Sequence, residues 1–191
     1  MGIAQLSFNE LRGFMTASGT ALTNSAAATS LLTAQGKFTI PANWFAVGKK
    51  VRIRAWGAVF WTATQVSLTV DVRFGATVVF NGGAILVEQT NVFGTPGKAW
   101  KFEADLLCRA VGAAANLMGS GTFASPLVKG AAAGPVGTLV AALPWNAPPA
   151  VGNNFDSTAL QVVDLFGTWA NNTGGVNDSV QCHMFEVELQ N

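Results

Sequence analysis

Trp100-Lys-Phe-Glu-Ala-Asp-Leu-Leu-Cys-Arg109 alternates apolar and polar residues almost one for one. Successive side chains of a strand point to opposite faces, so this run reads as a β-strand with one buried side. Trp100, Phe102, Ala104, Leu106 and Cys108 fall inward, while Lys101, Glu103 and Asp105 fall outward. The same period sets Val66, Leu68, Val70, Val72 and Phe74 against Ser67, Thr69, Asp71 and Arg73, and Val51, Ile53 and Ala55 against Arg52, Arg54 and Trp56. Near the C-terminus Val180, Cys182 and Met184 share one phase and Phe185, Val187 and Leu189 the next. A bulge near Met184-Phe185 is therefore expected, since one extra residue swaps the faces. Leu160–Trp169 is strand-like without a clear phase.

Weaker runs at 28–33, 37–40, 76–80 and 118–125 bring the total to about eight or more strands, counted from alternation and turn signals. The turns are marked by Pro41-Ala-Asn43, Gly75, Asn81-Gly82-Gly83, Gly94-Thr-Pro96-Gly97 and Asn171-Asn172-Thr-Gly-Gly. No helix of three turns is expected after residue 20, and there is no internal repeat. Irregular spacing and some long strands favour two sheets over an up-and-down barrel. The expected fold is all-β: a two-sheet antiparallel jelly-roll sandwich with an N-terminal arm. Residues 1–24 form the arm, and 25–191 the jelly-roll domain. An Ala/Gly/Pro-rich insertion at about 130–154 either covers the sandwich or packs on a neighbour. The arm, with Phe8, Leu11 and Phe14, is too apolar for a solvated tail and is expected to dock on a partner.

Charged residues make up 11% of the 191, against ~25% in ordinary soluble domains. Hydrophobic residues are 50%, and mean hydropathy is +0.35. So few charges coat a monomer poorly, which points to surface covered by other subunits. A net charge of +1 predicts no strong pull toward nucleic acid or anionic membrane. The start lacks a basic segment followed by an apolar core, so a soluble protein made in a cytoplasm is expected. Cys108 and Cys182 are too few for a disulfide scaffold and read as buried free thiols.

The residues do not assemble an enzyme. His183 is the only histidine, and adjacent Cys182 and His183 would point to opposite faces of a strand, which rules out joint chelation. Gly119-Ser120-Gly121 is no nucleophile elbow; its glycines suit a tight backbone path. The pairs Glu103/Asp105 and Glu186/Glu188 sit two apart on polar strand faces and read as solvated. Asn171–Asp178 offers oxygen ligands for calcium but reads as a hairpin connection. No catalytic, metal or cofactor residues are expected. Lys49, Lys50, Arg52 and Arg54 form the one basic cluster, an ordinary surface or an ionic contact with a partner. Trp56 lies on their face, as an interface anchor would. Trp145 is the aromatic candidate within the insertion.

Phe38-Thr-Ile-Pro-Ala-Asn43, followed by Val47-Gly-Lys-Lys-Val-Arg-Ile-Arg-Ala-Trp-Gly57, resembles the opening of tailed-bacteriophage virion jelly rolls. Leu68-Thr-Val-Asp-Val-Arg-Phe-Gly75, the Trp100–Gly112 run and Phe185-Glu-Val-Glu-Leu189 fit the same layout, so the resemblance covers roughly 28–190. It implies a tumour-necrosis-factor-like jelly roll that trimerises, as in head-decoration proteins and some fibre or spike tips. It carries over no catalytic residue. The implied function is a trimeric capsid decoration protein on the capsid exterior of the virion, partnered by itself and the major capsid protein lattice. The alternative is a receptor- or carbohydrate-binding tip of a tail fibre or spike. Phe8, Leu11, Phe14, Trp56 and Trp145 are the expected partner contacts.

Overall fold

The computed structural model describes residues 9–23, 25–60, 66–88, 97–130, 140–170 and 179–190, with the side chains of 9–12 excepted. Twelve strands run in chain order: β1 Asn9–Phe14, β2 Leu22–Thr23, β3 Thr29–Ser30, β4 Phe38–Ile40, β5 Lys50–Phe60, β6 Val66–Phe74, β7 Thr77–Val87, β8 Lys98–Ala110, β9 Asn116–Ala124, β10 Val140–Leu143, β11 Gln161–Trp169 and β12 Ser179–Gln190. The helical content among the described residues is one 3-10 turn, Ala34–Gly36. A seven-stranded sheet has the order β1-β12-β5-β8-β9-β10, with β2 also on β12. A five-stranded sheet has the order β3-β11-β6-β7, with β4 also on β11. All strand pairs are antiparallel. The chain crosses between sheets after β2, β4, β5, β7, β10 and β11, so that β12 pairs with β5 and β11 with β6, the rolled-up connectivity of a jelly roll.

The inner faces meet in one core. Val51, Ile53 and Ala55 of β5, the even-numbered apolar residues of β6 and Trp100 through Cys108 of β8 are all buried in the expected phase. Trp100 stacks on Phe123 with centroids 5.8 Å apart, and its Nε1 donates toward the carbonyls of Ala58 and Gln181, each at 3.2 Å. Cys108 and Cys182 are buried and unbridged, and burial pushes the Cys182 thiol up to about 12. In β11 Val163, Leu165 and Trp169 point inward. Its phase is hidden in the sequence because Gly167 occupies an inner position while Phe166 takes an outer one.

Three expectations are corrected, and one left open, whether the insertion covers the sandwich, is resolved for the described residues. The bulge of β12 lies between Cys182 and Met184, so Met184 leaves the core phase and is 52% exposed. Asn81-Gly82-Gly83 is no turn but an irregularity within β7, where the pairing with β6 shifts register. Gly83 has φ +76°, and a Cβ there would stand 2.9 Å from the backbone of Trp145. Residues 9–23 do not stand off as an arm: β1 lies along β12, β2 extends the same edge, and Met15 and Leu22 are buried in the core. A register shift between Leu11 and Gly13 breaks the alternation that would have marked β1 as a strand. Lastly, residues 140–155 close the open side of the sandwich. Trp145 N donates to Gly82 O (2.8 Å), Gly152 N to Leu117 O (3.0 Å) and Asn153 N to Val78 O (3.2 Å), tying the strand β7 edge to β9.

Candidate functional site

The solvent face of the seven-stranded sheet follows from register, because directly paired residues of antiparallel strands share a face. Three rows cross it. Glu188, Arg52, Asp105 and Ser120 make the first; Glu186, Arg54, Glu103, Thr122 and Ala142 the second; Met184, Trp56, Lys101, Ala124 and Val140 the third. The period-two runs therefore supply alternating outward charges, and the pairing of β12, β5 and β8 places opposite signs side by side.

Arg52 grips Asp105 through Nε–Oδ1 at 2.7 Å and Nη2–Oδ2 at 3.1 Å, a two-pronged contact joined by Lys50 Nζ at 3.4 Å. Arg54 lies between Glu188 (3.0 Å), Glu186 (3.7 Å) and Glu103 (3.7 Å), and Lys101 adds a 2.9 Å contact to Glu103. The Arg52 hydrogen bond holds the Asp105 carboxyl below its usual range, and the same bond raises Arg52. The cations Lys50, Arg52, Arg54 and Lys101 face the carboxylates Glu103, Asp105, Glu186 and Glu188, so this set of eight has no net charge. Lys50, Arg52 and Arg54 of the basic cluster and the two carboxylate pairs of the sequence are thus one ladder, while Lys49 stands apart over the Trp44 ring.

Beyond the ladder, β9 contributes the small residues Ser120, Thr122 and Ala124 to the three rows, and the chain after β10 rises as a wall at Pro144, Ala147 and Pro149. Between them lies a trough of about 640 Å³, lined by Arg52, Arg54, Glu103, Asp105, Ser120 and Thr122 among others. Gly119 and Gly121 fall on the inward side of β9, opposite Ser120 and Thr122, and let the backbone pass close to the core: a Cβ at Gly119 would meet the Phe80 ring at 2.3 Å. At the third row Trp56, Trp100, Ala124, Pro126 and Val140 line a smaller, apolar hollow of about 270 Å³, with Lys101 Nζ 5.9 Å from the Trp56 ring centre.

The expected contact residues separate. Trp56 is half-buried on this solvent face, as an anchor on the ladder's side should be. Phe14 is 62% exposed and pairs with Glu186, and Leu11 pairs with Glu188, so both positions belong to the β1 edge of the same sheet. Trp145 is not an open platform: it is half-buried, packs against the core and sits over Gly82-Gly83. Phe8 and the Asn171–Asp178 segment lie outside the described residues. His183 is exposed in the bulge, with Nδ1 2.8 Å from Ser18 Oγ. The contribution of Ser120 and Thr122 was missed in the sequence, where nothing local ties them to the ladder across β8.

No protein family matches the chain, and no curated protein matches it in sequence. Solved structures with a similar course include the CBM2 module of the evolved Dit of Lactobacillus casei BL23 phage J-1, at 9% identity, 97% of each chain covered and TM-score 0.38. Peanut lectin with a 9mer peptide follows at 8% identity, 96% of this chain and 97% of that one, TM-score 0.36. The Caenorhabditis elegans galectin LEC-6 aligns at 10% identity, 84% and 94%, TM-score 0.26. The likeness is one of sandwich architecture, and none of these proteins' binding properties follows from it for this chain.

Proposed function

We propose that the chain is a non-enzymatic binding subunit of a bacteriophage particle, acting as a receptor- or carbohydrate-contacting tip of a tail fibre or spike. Jelly-roll sandwiches serve both capsids and lectins, so the site must choose between them. The observation that carries the reading is the neutral trough on the seven-stranded sheet. Its charges cancel, which gives no preference for an ionic ligand, yet it keeps a dense set of fixed hydrogen-bonding groups. The Arg52–Asp105 fork is rigid, a carboxylate has more lone pairs than its partners use, and the Ser120 hydroxyl is exposed. Trp56 supplies a flat apolar face one row away. A neutral ligand rich in hydroxyls matches that chemistry.

Ser120→Trp fills the trough without touching the core, because Ser120 points to solvent. Calorimetric titration with host-surface polysaccharides should show binding by the parent chain and none by this variant at equal thermal stability. Equal affinity for both would remove the trough from the function.

A second reading, the trimeric capsid decoration protein, is favoured by the apolar hollow at Trp56 and Val140, which suits a neighbouring subunit. Its mechanism would be linkage: a subunit that binds only the assembled lattice stabilises that lattice. Light scattering should give about three times the 19.8 kDa chain mass under either reading. Antibody labelling of intact particles then separates head from tail.

A further inference from the structure

At one end of the sandwich the loops 41–49, 75–76, 111–115 and 155–160 expose several apolar side chains, where exposed loops are ordinarily polar. Val47, Val111 and Leu160 are 68%, 50% and 58% exposed, and Ala42, Ala76, Ala113 and Ala114 are exposed at the same end. These loops are tied together. Asn43 N donates to Ser157 O (2.9 Å), Gly112 N to Ser157 Oγ (2.7 Å) and Gly48 N to Cys108 O (3.0 Å). Beneath them Phe45, Phe74 and Phe155 pack edge-on or tilted with centroids 5.0 to 5.7 Å apart. The tip is a braced apolar surface, and binding it costs little ordering.

Charge accounting says what it faces. Among the described residues Lys37, Lys50, Arg52, Arg54, Arg73, Lys101 and Lys129 each have a carboxylate partner, and Lys98 is engaged as well. Lys49 and Arg109, which flank the tip, have no carboxylate; Lys49 is held over the Trp44 ring at 4.7 Å. The chain itself has little to answer them with. Asp71, Glu88, Glu103, Asp105, Asp164, Glu186 and Glu188 are already paired, and Asp156, at the tip, is bound by Thr158. The other two of the ten acids are Glu10, whose side chain is not among those described, and Asp178, which lies outside the described residues; residues 1–8 contain no acid.

We propose that this tip docks on a different protein, whose surface is apolar at the centre and carries carboxylates placed to meet Lys49 and Arg109. The aliphatic side chains would supply the contact area and the two cations its orientation. The inference goes beyond the trough reading and uses a separate surface, so either can fail alone.

The test uses the isotope-labelled full chain and a synthetic peptide alternating Glu with Leu and Ala, with Lys replacing Glu in the control. Amide shifts confined to 41–49, 109–115 and 155–160 with the acidic peptide only are expected. Lys49→Glu/Arg109→Glu should weaken that binding about tenfold or more, as loss of interfacial charge contacts does. Val47→Asp should weaken it while leaving the circular dichroism spectrum unchanged, and Ser120→Trp should leave it intact. Shifts elsewhere, or binding unaffected by the charge reversal, would overturn the proposal. So would self-association abolished by Val47→Asp, which assigns the tip to a second copy. Co-sedimentation with phosphatidylserine vesicles through the same residues, or tip signals that move when residues 1–8 are deleted, would likewise reassign it.

Discussion

On the solvent face of the seven-stranded sheet every described cation but Arg109 is neutralised by a carboxylate or otherwise engaged. At the adjoining tip Lys49 and Arg109 have no carboxylate partner among the described residues, and Lys49 rests over the Trp44 ring. Both regions belong to a chain with few charges, 11 basic and 10 acidic, so the distribution is informative. The ladder uses four of the ten acids to hold three strands in register, and its own charges cancel. The tip, with its loops already fixed by hydrogen bonds and an aromatic cluster, needs no such pairs and leaves its cations without carboxylates among the described residues. Charge serves structure in one region and is available for recognition in the other.

That contrast presumes that the ladder rests on a core which alone carries the large energies. Trp100→Ala, directly beneath the ladder, should cost ~3–5 kcal/mol in urea unfolding, as large core truncations do. Glu103→Ala, one row above, should stay within about 1 kcal/mol, since its partners are part-exposed. Similar costs for the two would mean that the ladder, not the core, holds the sheet together.

Arg54→Ala should have the next largest effect. It strands Glu103, Glu186 and Glu188 side by side, and a cost of about 1–2 kcal/mol is expected from lost pairing plus like-charge contact across strands. The loss should shrink in high salt, which screens repulsion between part-exposed carboxylates. A salt-independent loss would point instead to packing of the Arg54 stem.

The alternation of β5, β6 and β8 was legible because one side chain in two must be buried. The ladder was half legible: Arg52/Arg54, Glu103/Asp105 and Glu186/Glu188 each announce a polar face, but their convergence depends on the register of strands distant in sequence. Three features were hidden by irregularities. A bulge breaks the pattern of β1, Gly167 vacates an inner position of β11, and Asn81-Gly82-Gly83 spells a turn where the chain only bends to admit Trp145. Local residue preferences cannot distinguish a bulge glycine from a turn glycine, since both require the same backbone freedom.

Two aspartates sharpen the comparison by titration. Asp105 is held low first by the Arg52 hydrogen bond, with Lys50 adding Coulomb attraction, whereas Asp156 at the tip is held low by the Thr158 side chain and backbone. Both carboxyls titrate below the ordinary aspartate value of 3.8, so each contributes stability that is present above that pH and lost as pH falls through the lower folded value. Carboxyl carbon NMR should show Asp105 rising toward 3.8 in Arg52→Ala, while Asp156 moves only in Thr158→Ala. If Arg52→Ala moves both, tip and ladder are one electrostatic unit.

The smallest expected effect is the most discriminating. Arg109 and Arg54 are the same residue type on neighbouring strands of one sheet, and both reach its solvent side. Arg109 has no ion pair among the described residues and is exposed, so Arg109→Ala should change unfolding free energy by less than about 0.5 kcal/mol, as surface substitutions without partners do. The change should be equally small at low and high salt, because there is no attraction to screen. Lys49→Ala should cost slightly more, up to about 1 kcal/mol, through loss of the contact over Trp44. Denaturant midpoints measured side by side with Arg54→Ala decide the matter. A salt-sensitive loss at Arg109 of the size seen at Arg54 would show that the tip cations are structural, and would leave the division between the two regions without support.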